Sequence, residues 1–169
     1  MSKLWNRVIK RFRPDEYLDN IFDINFEVLK SRGIKALLLD VDNTLKPHFD
    51  KEPAANVRGW LDDARRAGFA LCIVSNGFEA RIAPFAHGLG LQAIGKAMKP
   101  SKKGFERAAQ LLSLDIGQTA VIGDQIFTDI FGGKRAGAFT ILVKPISKEE
   151  PFYLKLKRPF ERLVLYRRK

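Results

Sequence analysis

The chain has 169 residues, 46% of them hydrophobic, which is enough for one domain with its own core and too mixed for a fibrous or disordered protein. A single cysteine excludes a disulfide framework and fits a reducing compartment, and no apolar stretch approaches the ~20 residues of a membrane span. The net charge of +11 is concentrated at the ends: residues 1–13 hold five Lys/Arg and no acid, residues 144–169 hold nine against three acids, and the middle is balanced, so anionic partners such as a membrane surface or nucleic acid are expected to meet the ends.

In chain order, residues 2–13 have the period of an amphipathic helix. Leu4, Trp5, Val8, Ile9 and Phe12 fall on one side, and Lys3, Arg7, Lys10 and Arg11 on the other, until Pro14 ends the pattern. No apolar signal core with a cleavage site is present, so secretion is not expected. Residues 15–31 continue with helical spacing (Tyr17, Leu18, Ile21, Phe22, Phe26, Leu29) and close near Gly33. From there strand and helix patterns alternate. Strands are expected at Ala36–Leu39, Phe69–Val74, Leu91–Ile94, Thr119–Ile122 and Phe139–Val143, and helices from Pro53 to Ala67, Glu79 to Ala86, Ser101 to Leu112 and Thr128 to Ala136. That alternation predicts an α/β fold: three Rossmann-like layers around a central parallel sheet of about five strands. The organisation expected is a basic N-terminal segment with a lead-in helix (1–34), a catalytic domain (35–143) and a basic tail (144–169). Cys72 lies inside an apolar run and reads as a small core residue.

The first strand runs Ala36-Leu-Leu-Leu39 directly into Asp40-Val-Asp42-Asn-Thr44. An apolar run of this kind is a strand buried on both faces, and ligands of open parallel sheets bind beyond the carboxyl ends of the strands. Side chains two apart share one side of an extended chain, so Asp40 and Asp42 are brought together, and two close carboxylates call for a cation. A capped polar turn is the alternative for an isolated Asp-x-Asp. The second strand ends in Ser75-Asn76-Gly77, suited to an anion at a helix N-terminus or to capping that helix. The third join carries Lys99, whose backbone Pro100 restricts, and a rigidly held lysine there neutralises a phosphate or the carboxylate pair. The fourth strand ends in Gly123-Asp124, with Asp129 one turn on. Gly123 permits close backbone approach, and the acids from one sheet edge, having only oxygen to offer, favour Mg²⁺. The string Gly88-Leu-Gly90-Leu-Gln-Ala93 spells a dinucleotide fingerprint but precedes a strand, so it is rejected. No phosphate-binding P-loop is present, and His48 and His87 lack zinc spacing.

These residues, in this order, resemble the four motifs of the haloacid dehalogenase (HAD) superfamily: Asp40-Val-Asp42-Asn-Thr44 the first, Ser75 the second, Lys99 the third, and Gly123-Asp124 with Asp129 the fourth. The resemblance covers residues 35–143. It implies a Mg²⁺-dependent phosphatase in which Asp40 is the nucleophile, forming an aspartyl-phosphate, and Asp42 the general acid and base. It implies that Thr44, Ser75, Asn76 and Lys99 hold the phosphoryl group. The metal would be bound by Asp40, Asp124 and the backbone carbonyl of Asp42, with Gly123 and Asp129 in support. The gaps between the motifs leave no room for a cap domain, and capless members of the family act on large or surface-bound substrates. A closer resemblance is to the YqeG-like branch, which includes phosphatidylglycerophosphate phosphatases; it rests on Pro14…Tyr17, Gly33-Ile-Lys35, Asp-Asn-Thr-Leu45, Lys99-Pro-Ser and Gly123-Asp-Gln…Thr-Asp129. The expectation is a phosphomonoesterase acting on an anionic phospholipid, peripheral on the inner face of a membrane. The competing readings are the same chemistry on a nucleic-acid end or phosphoprotein, and a non-catalytic binding protein on the same fold.

Overall fold

The computed structural model describes residues 10–147 and residue 149. Leu4, Trp5, Val8 and Ile9 of the amphipathic segment, and nearly all of the basic tail, lie outside the described residues. Six parallel strands form the sheet: β1 (Glu16–Leu18), β2 (Ala36–Leu39), β3 (Ala70–Val74), β4 (Gln92–Ile94), β5 (Thr119–Gly123) and β6 (Phe139–Val143), in the order β1-β6-β5-β2-β3-β4. Among the described residues the α-helices that connect or precede them are α1 (Phe26–Ser31), α2 (Val57–Arg66), α3 (Glu79–Gly88), α4 (Lys103–Leu111) and α5 (Phe131–Ala136). Among the described residues there is no inserted cap domain, and no helix is long and apolar enough to cross a membrane.

β2 is central, flanked by β3 and β5, and all four of its residues are fully buried. Alternation decides which layer each one meets. Leu37 and Leu39 join the larger core with Leu29 of α1, Trp60 and Leu61 of α2 and Ile82 of α3. Leu38 joins the smaller core beneath Phe105 and Ala108 of α4. Burial of each such leucine contributes roughly 1.5–3 kcal/mol, so β2 is firmly placed, and with it the acids that follow.

Residues 15–31 differ from the single helical pattern expected. Glu16–Leu18 pairs in parallel with β6, a 3₁₀ turn follows at Ile21–Asp23, and only Phe26–Ser31 is α-helical. Asn20 and Asn25 cap the two helical pieces, so short polar side chains break the segment where apolar spacing alone would continue it. Asp15 secures the strand: its carboxylate accepts from the Thr140 backbone N–H at 2.8 Å and the Thr140 hydroxyl at 3.0 Å, and it pairs with Lys134. Phe12, the one member of the N-terminal apolar face among the described residues, is half-buried and stacks on Phe131 at 4.4 Å.

The expected helix at Thr128 to Ala136 is in fact two pieces. A π-helical turn over Ile126–Ile130 leads into α5. The wider turn sets Asp129, fully buried, inward at the end of β5. π-turns of this sort frequently mark functional positions.

Candidate active site

The carboxyl ends of β2, β3 and β5, with the loop after β4, deliver two groups of charged side chains. In the first, Lys99 is buried at the centre. Its ammonium donates to Asp40 Oδ1 at 2.6 Å, to Asp129 Oδ1 at 2.6 Å and to the Val74 carbonyl at 2.9 Å, which spends all three donors. Asp40, Asp124 and Asp129 are all buried and place carboxylate oxygens within 4.8 Å of one another. Lys99 pairs with two of the three, Asp40 and Asp129. Burial pushes the Asp40 carboxyl up to about 7; the pull of Lys99 opposes this, and Asp129 and Asp42 add to it. Burial alone would depress Lys99, but Asp129 and Asp40 more than compensate, so it stays protonated. Clustered oxygen-only donors suit a hard divalent cation, so this donor set fits a metal.

Gly123 explains how Asp129 comes so near. A Cβ on Gly123 would lie 2.4 Å from the Asp129 carboxylate, so a side chain there and the acid exclude each other. Asp129 also accepts from the Gln125 N–H at 3.2 Å, which fixes the carboxylate within its own turn.

The second group surrounds Asp42. The chain after β2 folds back sharply: Leu45 N–H donates to the Val41 carbonyl at 2.9 Å, Asn43 N–H to the Lys46 carbonyl at 2.7 Å, and Asn43 takes a φ of 62°. This fold returns Lys46 beneath Asp42, where its ammonium reaches Asp42 Oδ1 at 2.8 Å and the carbonyls of Pro47 and His48 at 3.2 Å each. Arg81, from the first turn of α3, forms a fork on the same carboxylate at 2.8 and 2.7 Å. Burial on its own would raise the Asp42 pKa; Arg81 and Lys46 reverse this and hold it below the ordinary carboxylate value.

The remaining expected residues divide. Ser75 is buried, lines the cavity, and accepts from the Gly77 N–H through its hydroxyl at 3.1 Å, leaving its own proton to donate. The Asn76 side chain binds both sides of the Lys99 backbone: its amide donates to the Lys99 carbonyl at 3.1 Å and its oxygen accepts from the Lys99 N–H at 2.7 Å. Asn76 thereby positions Lys99. Thr44 is buried behind the Asp40–Asp42 segment and is not among the residues lining the cavity. Cys72 is a core residue whose thiol burial pushes up to about 12, so it is inert at neutral pH.

Lys46 and Arg81 were missed in the sequence. Lys46 sits four residues after Asp42 in an irregular loop, where no periodicity marks it. Arg81 carried one signal, because a cation in the first turn of a helix opposes the macrodipole and asks for a local anion. The anion, Asp42, is 39 residues away.

Both groups open into one cavity of about 990 Å³, walled on one side by the 46–53 loop and on the other by α3, with Phe49, Phe78, Phe85 and Leu89 among its lining. Phe49 and Phe78 are exposed at 66% and 71%.

A parallel sheet with paired acids after its central strand, a buried lysine beside them and further acids after the next strand defines a hydrolase site of the haloacid dehalogenase type. The profile of haloacid dehalogenase-like hydrolases matches residues 49–137. The chain is 39% identical over 156 residues to "Probable phosphatase YqeG" of Bacillus subtilis, spanning 92% of this chain and 91% of that one. It is 27% identical to phosphatidylglycerophosphate phosphatase 1 (chloroplastic/mitochondrial) of Arabidopsis thaliana, across 85% of this chain but only 44% of the longer plant protein. In fold it is similar to the cobalt-bound deoxy-D-mannose-octulosonate 8-phosphate phosphatase of Haemophilus influenzae, with a TM-score of 0.54 and 16% identity, covering 81% of this chain and 90% of that one. The chain belongs to the haloacid dehalogenase-like hydrolase family. Within it, the protein is a phosphatase, a hydrolase of phosphoric monoesters.

Proposed function

We propose that the protein removes the terminal phosphate of phosphatidylglycerophosphate at an anionic membrane surface, using Asp40 as nucleophile. The observation that carries the chemistry is the buried contact of Asp40 with Lys99, in a cavity that no cap domain closes among the described residues. An Asp40 oxygen attacks phosphorus, and the bond from phosphorus to the leaving oxygen breaks. Asp42 supplies the proton that oxygen takes. A water then attacks the aspartyl-phosphate, Asp42 takes its proton, and inorganic phosphate leaves with the Asp40 carboxylate restored. Lys99 and the Ser75 hydroxyl hold the phosphoryl oxygens, and Asn76 keeps Lys99 in place. Thr44 underpins the loop that carries Asp42.

Asp40, Asp124 and the backbone carbonyl of Asp42 would hold Mg²⁺, with Asp129 beside them and Gly123 making room. Bound there, the ion would offset negative charge between a carboxylate nucleophile and an anionic ester. In the arrangement described, Asp42 is ionised under two cations, so its role as acid requires that one of them be drawn away.

Three features support a lipid substrate: the likeness to the plant phosphatase, the aromatic mouth of the cavity, and the basic ends. Residues 1–13 and 144–169 would hold the protein peripherally on the inner face of an anionic membrane. A phosphate-release panel tests the reading, comparing phosphatidylglycerophosphate in vesicles with phosphorylated nucleic-acid ends, a phosphopeptide and sugar phosphates. The lipid should be preferred, release should stop with chelator, and Mg²⁺ should restore it. Preference for a nucleic-acid end, or release without metal, would refute it.

A further inference from the structure

Among the described residues three cations reach Asp40 and Asp42, and they are not equivalent. Lys99 and Lys46 are buried, with side chains only 3% and 4% exposed, and each has spent its three donors on named protein oxygens. The Arg81 side chain is 46% exposed, lines the open cavity and, among the described residues, commits two of its five N–H donors, both to Asp42. Asp42 keeps Lys46 if Arg81 leaves, so release of the arginine does not strand a carboxylate.

The chain also makes room for this guanidinium. A Cβ on Gly77 would stand 2.3 Å from Arg81 Nη2 and 3.0 Å from its Cζ. Gly77 is not among the residues with positive φ, so its backbone does not require glycine, and the mobile end of the Arg81 side chain lies in the space a Cβ would take. Phe49, Phe85 and Leu89 line the same cavity as Arg81. A ligand in this cavity therefore has both a half-solvated, fork-shaped cation and apolar wall within its lining.

We propose that Arg81 is a specificity residue that binds a second anionic group of the substrate, a phosphodiester or phosphate oxyanion a short linker away from the phosphoryl group being removed. The planar fork that now grips a carboxylate fits two oxygens of a phosphate equally well. Binding that second anion exchanges one charged partner of Arg81 for another. It thereby ties release of Asp42 to arrival of a substrate carrying both groups. The inference rests on the phosphatase reading and not on the lipid, since the shared chemistry is a bis-anionic phosphomonoester, membrane-borne or soluble.

The test uses the full chain with three soluble substrates: glycerol 3-phosphate, glycerol 1,3-bisphosphate, and glycerophosphoglycerol phosphate, which carries a diester. The wild-type protein should favour at least one bis-anionic substrate over glycerol 3-phosphate in kcat/KM by at least about tenfold, the scale of a charge-assisted pair. In Arg81→Gln, turnover of all three changes, because Asp42 loses a partner. The decisive quantity is the ratio, which should fall toward one through a raised KM for the bis-anionic substrate. Arg81→Lys, with charge but no fork, should fall between. A ratio unchanged in Arg81→Gln would overturn the proposal and make Arg81 only a positioner of Asp42, and a wild-type protein active without preference would overturn it too. Preference for the diester over the bisphosphate assigns the site to a headgroup, and the reverse assigns it to a free phosphate; either supports the second-anion site. No turnover of any substrate would instead remove the phosphatase reading, and this inference with it.

Discussion

Asp40 combines burial, a 2.6 Å contact with Lys99 and two further acids close by. Replacing it with Asn removes the proposed nucleophile without opening a cavity. Turnover of any phosphomonoester should fall by at least about a thousandfold, in line with loss of a unit that acts covalently, while the far-ultraviolet spectrum is unchanged. Retention of a tenth of the activity would contradict the covalent route. Asp40 also sets a pH dependence. With its folded-state value near 7 and its ordinary value at 3.8, the metal-free native state binds more protons than the unfolded chain between about pH 4 and 7. The contribution of this carboxyl to stability therefore falls as pH rises through that window. The melting temperature of the metal-free protein should show this decline, and Asp40→Asn should flatten it. Added Mg²⁺ needs the ionised carboxylate, so it should raise the melting temperature more at pH 8 than at pH 5. An equal shift at both pH values would count against Asp40 as a ligand.

At the level of elements, the strand ends were legible and the side chains that cross between them were not. Ala36–Leu39 could be read because a strand buried on both faces is apolar without interruption, and the acids after it could be placed because parallel strands share a carboxyl edge. Glu16–Leu18 could not, since its three residues carry no period of their own and become a strand only by pairing with β6. Lys46 and Arg81 were hidden for a related reason: a lone cation in a loop or on a helix looks like solvated surface until tertiary folding supplies its anion. Gly123 was legible as a point of close approach, though the approaching group, the Asp129 carboxylate, emerged only with the π-turn. Gly123→Ala should force these atoms apart. We expect about 1–3 kcal/mol of destabilisation in denaturant titration and a weakened affinity for divalent metal by calorimetry. Unchanged metal binding would separate Asp129 from the site.

For the whole molecule, the proposed function assigns catalysis to the charge-balanced middle and attachment to the basic ends. Phe12 packs on Phe131, so the end of the N-terminal segment belongs to the domain surface, and a cut for testing attachment belongs before it. A protein lacking residues 1–9 should keep its turnover of soluble glycerol phosphates and lose most of its sedimentation with anionic vesicles. Basic residues near such a surface contribute at most about 1 kcal/mol each, and salt reduces that; the apolar residues add a part that salt leaves intact. Unaltered vesicle binding in the shortened protein would remove the N-terminal segment from the attachment.

The central claim is that phosphate passes through Asp40. A single turnover with phosphate-labelled substrate and Mg²⁺, quenched in acid and mapped by peptide, addresses it directly. Transient label is expected on the peptide containing Asp40, and none in Asp40→Asn. Phosphate released with no protein-bound label at any time, or label on another residue, would contradict it.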